Sequence, residues 1–172
     1  SKATPWLGWE TAFSVVSGGT YQGTPGFTYF FCKGWFSTPN KMILKASNVV
    51  YGTGPNSILK YTGATIGIDL GGTSGSPELT LNIQLRDFDI RSASGTIGLS
   101  VYNTSRLKVS NVSIYGVITD GDSETGWSTA GLSIWGNGVG YSVINFFDRV
   151  VSRQLAGDAV RFDVGPDNIE NT

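Results

Sequence analysis

Histidine is missing from this 172-residue chain. That absence removes the Ser-His-Asp triad, the Cys-His pair and His-ligated zinc in one step. Cysteine occurs once, at Cys32, so no disulfide can form within the chain. Set in "FFCKG", Cys32 reads as a small core residue rather than a reactive thiol. Charge is scarce as well: 12 Lys+Arg stand against 13 Asp+Glu, only 15% of the residues, for a net charge of −1. With no polybasic run, the balance argues against nucleic acid and against an anionic membrane surface as partners. No apolar run is long enough to span a bilayer, and "SKATPWLGWE" lacks the charged-then-apolar layout of a signal peptide. The chain is therefore expected to be soluble, with any export signal lying outside it.

What the chain has in abundance is glycine, 24 residues, together with Ser, Thr and Asn throughout. Gly, Asn and Ser supply turn geometry, while Val, Ile, Tyr, Phe and Trp suit strands. The mixture predicts an all-β fold in one domain. A five-residue phrase recurs: "GIDLG" at Gly67, "GLSVY" at Gly98, "GLSIW" at Gly131 and "AVRFD" at Ala159. A second strand lies between the phrases, as "LRDFDI" (85–90), "VSNVSI" (109–114) and, more loosely, "FDRVVS" (147–152). An irregular period of roughly 20 to 40 residues with two or more short strands per unit is the mark of a β-solenoid.

Alternation points Ile68 and Leu70, Leu99 and Val101, Leu132 and Ile134, and Val160 and Phe162 inward. One unit cannot bury such a pair alone, whereas stacked units at ~4.8 Å per step make a continuous apolar column. The alternative is a flat sandwich, which would close hairpin turns about every 8 to 12 residues. At the start of the chain, Trp9, Ala12, Phe13 and Val16 fall at helical spacing before Gly18 and Gly19. They predict a short helix that caps the first edge. Residues 1–19 are thus expected to form a cap, and 20–172 the first coils of a solenoid that continues elsewhere or is covered by another chain.

The order of that helix, "GGT" (Gly18–Thr20), "PGFTY" (Pro25–Tyr29), "SNVV" (Ser47–Val50) and "GTG" (Gly52–Gly54) resembles the opening coils of the pectate-lyase-like right-handed parallel β-helices. Bacteriophage tailspikes and tail-fibre proteins are the nearest in style. The resemblance covers nearly the whole chain, but its motifs are turn and core patterns shared by enzymes and non-enzymes. It implies a right-handed parallel β-helix, a homotrimer, a place in the virion tail and a bacterial surface polysaccharide as partner, with other tail proteins as possible neighbours. A secreted bacterial protein is the alternative location.

Glycoside hydrolysis needs two carboxylates about 5 to 10 Å apart. The insertion "TDGDSETGW" (119–127) concentrates Asp120, Asp122, Glu124 and Trp127. Asp122, Glu124 and Asp163 are the candidate catalytic carboxylates. The columns expected to face outward are Asp69, Ser100, Ser133 and Arg161, and beside them Tyr102, Trp135 and Asp163. Tyr102 over Trp135 would form an aromatic platform for a sugar ring, so Tyr102, Trp127, Trp135 and Arg161 are the candidate glycan contacts. The bland counterparts are ordinary strand aromatics, a solvated loop and, for Asp87, Asp89 and Arg91, a wet charged face. "DGDSE" lacks the spacing of an EF-hand, so no metal is expected, nor any other cofactor. "GTGPNS" and "GNGVG" read as turns, since neither has the strand-then-helix context of a nucleotide fingerprint. A proton-abstracting lyase would draw on Arg149, Arg153 or Arg161. The rival to glycan recognition is a non-enzymatic shaft or adhesin in which Trp6, Trp127 and Trp135 contact a partner chain.

Overall fold

The computed structural model describes residues 14–16, 20–63, 65–70, 72–73, 76–77, 80–119, 121–136 and 144–164. Among them the regular structure is entirely strand. In chain order these are β1 (Ser14–Val16), β2 (Thr20–Gln22), β3 (Thr28–Phe30), β4 (Gly34–Thr38), β5 (Met42–Leu44), β6 (Val49–Tyr51), β7 (Ser57–Tyr61), β8 (Ile66–Leu70) and β9 (Gly72–Thr73). There follow β10 (Ser76–Pro77), β11 (Thr80–Leu81), β12 (Gln84–Ser92), β13 (Ile97–Tyr102), β14 (Thr104–Ser105), β15 (Lys108–Tyr115), β16 (Ala130–Gly136), β17 (Phe146–Arg153) and β18 (Asp158–Val164).

Two seven-stranded sheets hold almost all of them. The first runs β1-β2-β5-β8-β13-β16-β18. The second runs β17-β15-β12-β6-β3, with β7 and β4 continuing from β12 as a separate branch. From β2 onward the chain visits the two sheets in turn, and from β5 on each of their strands pairs with one from the previous visit to its own sheet. The pairing is parallel apart from β1 with β2 and β9 with β10. A hairpin-built sandwich would have antiparallel neighbours, so that alternative is set aside.

The register places Gly67, Gly98, Gly131 and Ala159 side by side, because Ile68, Leu99, Leu132 and Val160 are direct partners. Close approach explains the three glycines. A Cβ on Gly67 would lie 2.7 Å from the Gly98 carbonyl oxygen, and one on Gly98 equally close to that of Gly131. The same absence of side chains makes room for Trp127, whose indole would be 3.0 Å from a Cβ on Gly67.

Each long strand of the second sheet is two strands joined by a bend. Asp87, Asn111 and Arg149 have left-handed φ values of 62°, 53° and 50°, and each sits at the same position of β12, β15 and β17. The arm of β12 before Asp87 pairs with β6, and the arm after it pairs with β7. A second aligned corner is formed by Ser47, Asn82, Arg106 and Ile144, with φ between 56° and 60°, each two residues before its strand's first paired position. After glycine, left-handed backbone is tolerated best by Asn and Asp, which hold three of these seven positions. "GTGPNS" is a turn, closed by Ser57 N donating to Gly54 O at 2.9 Å.

The core lies between the sheets. Ile68, Leu70, Leu99, Val101 and Leu132 from the first meet Leu85, Phe88, Ile90, Val109, Val112 and Ile114 from the second, all buried. Cys32 packs against this core as a half-buried residue. Val160 and Phe162 continue the inward columns but are 47% and 63% exposed.

One expectation is overturned. Val16 lies in a strand, and among the described residues no helix caps the first edge. Ser14–Val16 pairs antiparallel with Thr20–Gln22, so a short hairpin borders the sheet. Val15 and Val16 are β-branched and lose side-chain freedom in a helix, and the β2 edge offers their backbone partners that an isolated helical turn lacks. Trp9, Ala12 and Phe13 lie outside the described residues. No helix among the described residues is long and apolar enough to cross a membrane.

Candidate functional site

The outer side of the first sheet carries the residues singled out from sequence. Tyr102 and Trp135 are direct partners on β13 and β16 and stack with ring centroids 4.1 Å apart and planes 17° from parallel. Trp135 Nε1 donates to Ser100 Oγ at 3.0 Å. One strand away, Lys41 Nζ donates to Asp69 Oδ2 at 2.9 Å. Yet Asp69, Ser100, Tyr102 and Ser133 are all buried. Tyr102 has no surface on which a sugar could lie, so the expected two-ring platform is closed and Trp135 alone is partly exposed. Burial pushes the Asp69 carboxyl above its ordinary pKa, with Lys41 and the Ser100 hydroxyl pulling the other way.

Trp127, expected as a surface glycan contact, is fully buried. Its ring meets Tyr61 edge-on, with centroids 6.0 Å apart, in the space left beside Gly67 and Gly98. The insertion thus feeds an aromatic anchor into the core. Asp122 and Glu124 are exposed. Asp122 Oδ2 accepts the Thr119 N–H at 2.7 Å, closing a local turn. Thr125 Oγ1 donates to Ala93 O, which holds this loop near the start of β16. Asp163 is the register partner of Trp135 near the end of β16, about 16 Å further along at ~3.3 Å per residue. Arg161, the partner of Ser133, is exposed.

Asp89 and Arg91 do not form a wet face. Asp89 is buried, and Arg91 Nη2 donates to its Oδ2 at 3.2 Å. Arg91 also donates to Ile118 O and lies over the Tyr115 ring at 4.2 Å, while Arg153 lies over the same ring at 4.8 Å. This cluster fastens the start of the insertion to the second sheet. Burial raises the Asp89 pKa, opposed chiefly by Arg91.

The open surface lies elsewhere, outside the first arm of the second sheet. Phe30, Tyr51 and Arg86 are successive partners on β3, β6 and β12. Phe30 is 53% exposed and tilts onto Tyr51 with centroids 4.8 Å apart. Arg86 lies over the Tyr51 ring at 4.5 Å. Its Nη1 donates to Asp87 Oδ2 at 3.0 Å, and Asn111 Nδ2 donates to Asp87 Oδ1 at 2.9 Å. Gln84, Lys108 and Phe146 form the neighbouring exposed column. The result is an aromatic strip edged by polar groups, running across the strands.

No protein-family model, curated protein or solved structure matches this chain.

The strip was not singled out from sequence because its members are far apart in the chain and none belongs to a motif. One signal was present. Aligning Phe88 with Val112 also aligns Asp87 with Asn111, the carboxylate and amide that prove to be bonded. Among the described residues no three His, Cys, Asp or Glu groups converge as a metal site would require.

Proposed function

We propose that the alternating parallel sheets are the walls of a right-handed parallel β-helix, and that the protein is a tailspike- or tail-fibre-like receptor-binding protein recognising bacterial surface polysaccharide. The observation that carries the reading is the exposed Phe30–Tyr51–Arg86 ladder with Asp87 and Asn111 along its edge. The exposed Phe30 ring can accept the apolar face of a sugar, and the fixed polar side chains beside it accept from and donate to the sugar's hydroxyls. A ladder built one side chain per strand offers successive subsites to a repeating polymer. The reading is one of recognition first, with hydrolysis by Asp122, Glu124 and Asp163 as a subordinate proposal. Homotrimeric assembly in a virion tail, beside other tail proteins, belongs to the same proposal.

A second reading has an observation of its own. Val160 and Phe162 on β18 are exposed apolar residues, and with Leu132, Ile134, Phe147 and Val150 they line an open hollow suited to protein contact. They favour a non-enzymatic shaft of a trimeric fibre. A glycan-array screen combined with native mass spectrometry separates the two. Carbohydrate signal that is lost in Tyr51→Leu supports recognition. A trimer with no carbohydrate signal supports the shaft and removes the first reading.

A further inference from the structure

Exposed charge on the outer side of the second sheet is out of balance, although the chain as a whole carries a net charge of only −1. Around the first arm and its bend stand Lys33, Arg86, Arg106, Lys108 and Arg149, all exposed, against Asp87 and Asp148. Asp87 is matched to Arg86 at 3.0 Å and Asp148 to Arg149 at 3.3 Å. Lys33, Arg106 and Lys108 have no carboxylate partner among the described residues. The other described acids lie apart from them. Asp69 and Asp89 are buried against Lys41 and Arg91. The insertion with Asp122 and Glu124 leaves β15 after Tyr115, at the opposite end from Lys108, and β18, with Asp158 and Asp163, belongs to the first sheet. Cations in excess on one face attract a polyanion even when the net charge is close to zero.

Each unmatched cation has an exposed ring beside it in the strand order. Phe146, 59% exposed, is the direct partner of Lys108, and Arg106 stands two residues before Lys108 at the corner. Phe30, 53% exposed, is followed three residues later by Lys33. Trp35 aligns through Ile58 with Asp89, which puts Lys33 at the level of Asp87, on the bend. The two groups stand at opposite margins of the sheet, four strand steps or ~19 Å apart across β3, β6, β12, β15 and β17. A ring takes the apolar face of a sugar, and a cation next to it takes a negative group on that sugar or its neighbour. On the basis of the recognition reading above, we infer that this face binds an acidic polysaccharide running across the strands. One charged sugar is seated at Phe146 with Lys108 and Arg106, and another at Phe30 with Lys33.

The test is affinity electrophoresis of the intact chain in gels containing uronate-bearing, phosphate-bearing or neutral bacterial polysaccharides, with carboxyl-reduced samples of the first as controls. The expected result is retardation by an acidic polymer that weakens as salt rises, and that is lost on carboxyl reduction where uronate supplies the charge. Lys33→Gln, Lys108→Gln and Arg106→Asn, the last keeping a residue tolerant of left-handed backbone, should each weaken binding about two- to fivefold at low salt. The triple variant should lose about tenfold or more, with circular dichroism establishing that it folds. Unchanged affinity in the folded triple variant would overturn the inference. Binding confined to neutral polymers would overturn it while leaving polysaccharide recognition standing. Binding to single-stranded DNA and to no polysaccharide, or no binding at all, would overturn the recognition reading and this inference together.

Discussion

Asn48 shows how much of this fold hangs on single polar side chains. It is fully buried; its Oδ1 accepts the Lys45 N–H at 2.8 Å, and its Nδ2 donates to the carbonyls of Thr24 and Phe27. One amide thus joins two turns of successive passes. Asn48→Ala leaves those backbone groups buried and unmet, and is expected to cost about 2–4 kcal/mol in urea unfolding. Tyr102 is the converse case. Its hydroxyl is buried and makes no hydrogen bond, so Tyr102→Phe should leave stability unchanged or raise it by about 1 kcal/mol. A large loss in that variant would show that the hydroxyl has a partner. The buried carboxylates add a pH dependence with the less common sign. Asp69 and Asp89 have folded pKa values raised above their unfolded ones, so between those values the folded state holds more protons than the unfolded state. Their contribution to stability therefore falls as pH rises through that interval, and is constant below and above it. Asp69→Asn should flatten this slope in stability measured against pH; an identical profile would contradict the raised pKa.

Among the elements, β13 is held on both sides, by β8 and by β16. A methyl group at Gly98 would meet Ile114 Cγ2 at 2.5 Å and the Gly131 carbonyl at 2.7 Å. One of those contacts is backbone in a neighbouring strand, which cannot rotate away. Gly98→Ala is expected to destabilise by about 2–3 kcal/mol by thermal or chemical unfolding, and to disturb the Trp127 environment in fluorescence. Alternation within the repeated strands was legible before any coordinates, because a period of two follows from strand geometry itself. The column of glycines could be aligned for the same reason. Burial of the outer column could not. Asp69, Ser100 and Ser133 occupy outward positions and are nonetheless covered, and nothing in a strand's own pattern records what lies over its far side. Trp127 was misassigned from the same cause: a loop tryptophan reads as exposed until the hollow beside Gly67 and Gly98 is known.

For the whole molecule, the two ends of the stack differ. The hairpin of β1 and β2 borders one end of the first sheet, whereas at the other β18 carries Val160 and Phe162 in open view. An edge strand with unpaired backbone and exposed apolar side chains favours association. Sedimentation velocity on the intact chain should show assembly that grows with concentration, and Val160→Lys with Phe162→Asp should reduce it. A strictly monomeric wild type would show that this edge is protected.

Composition and local pattern determined that the chain is all-β, that its strands repeat, which residues of those strands alternate inward, and that histidine chemistry is impossible. These follow from covalent geometry and from which side chains exist, neither of which depends on distant neighbours. Only the tertiary structure decided that Phe30, Tyr51 and Arg86 share one exposed ladder while Tyr102 and Trp127 are enclosed. Exposure is a property of what packs above a residue, and parallel stacking brings that neighbour from another pass of the chain.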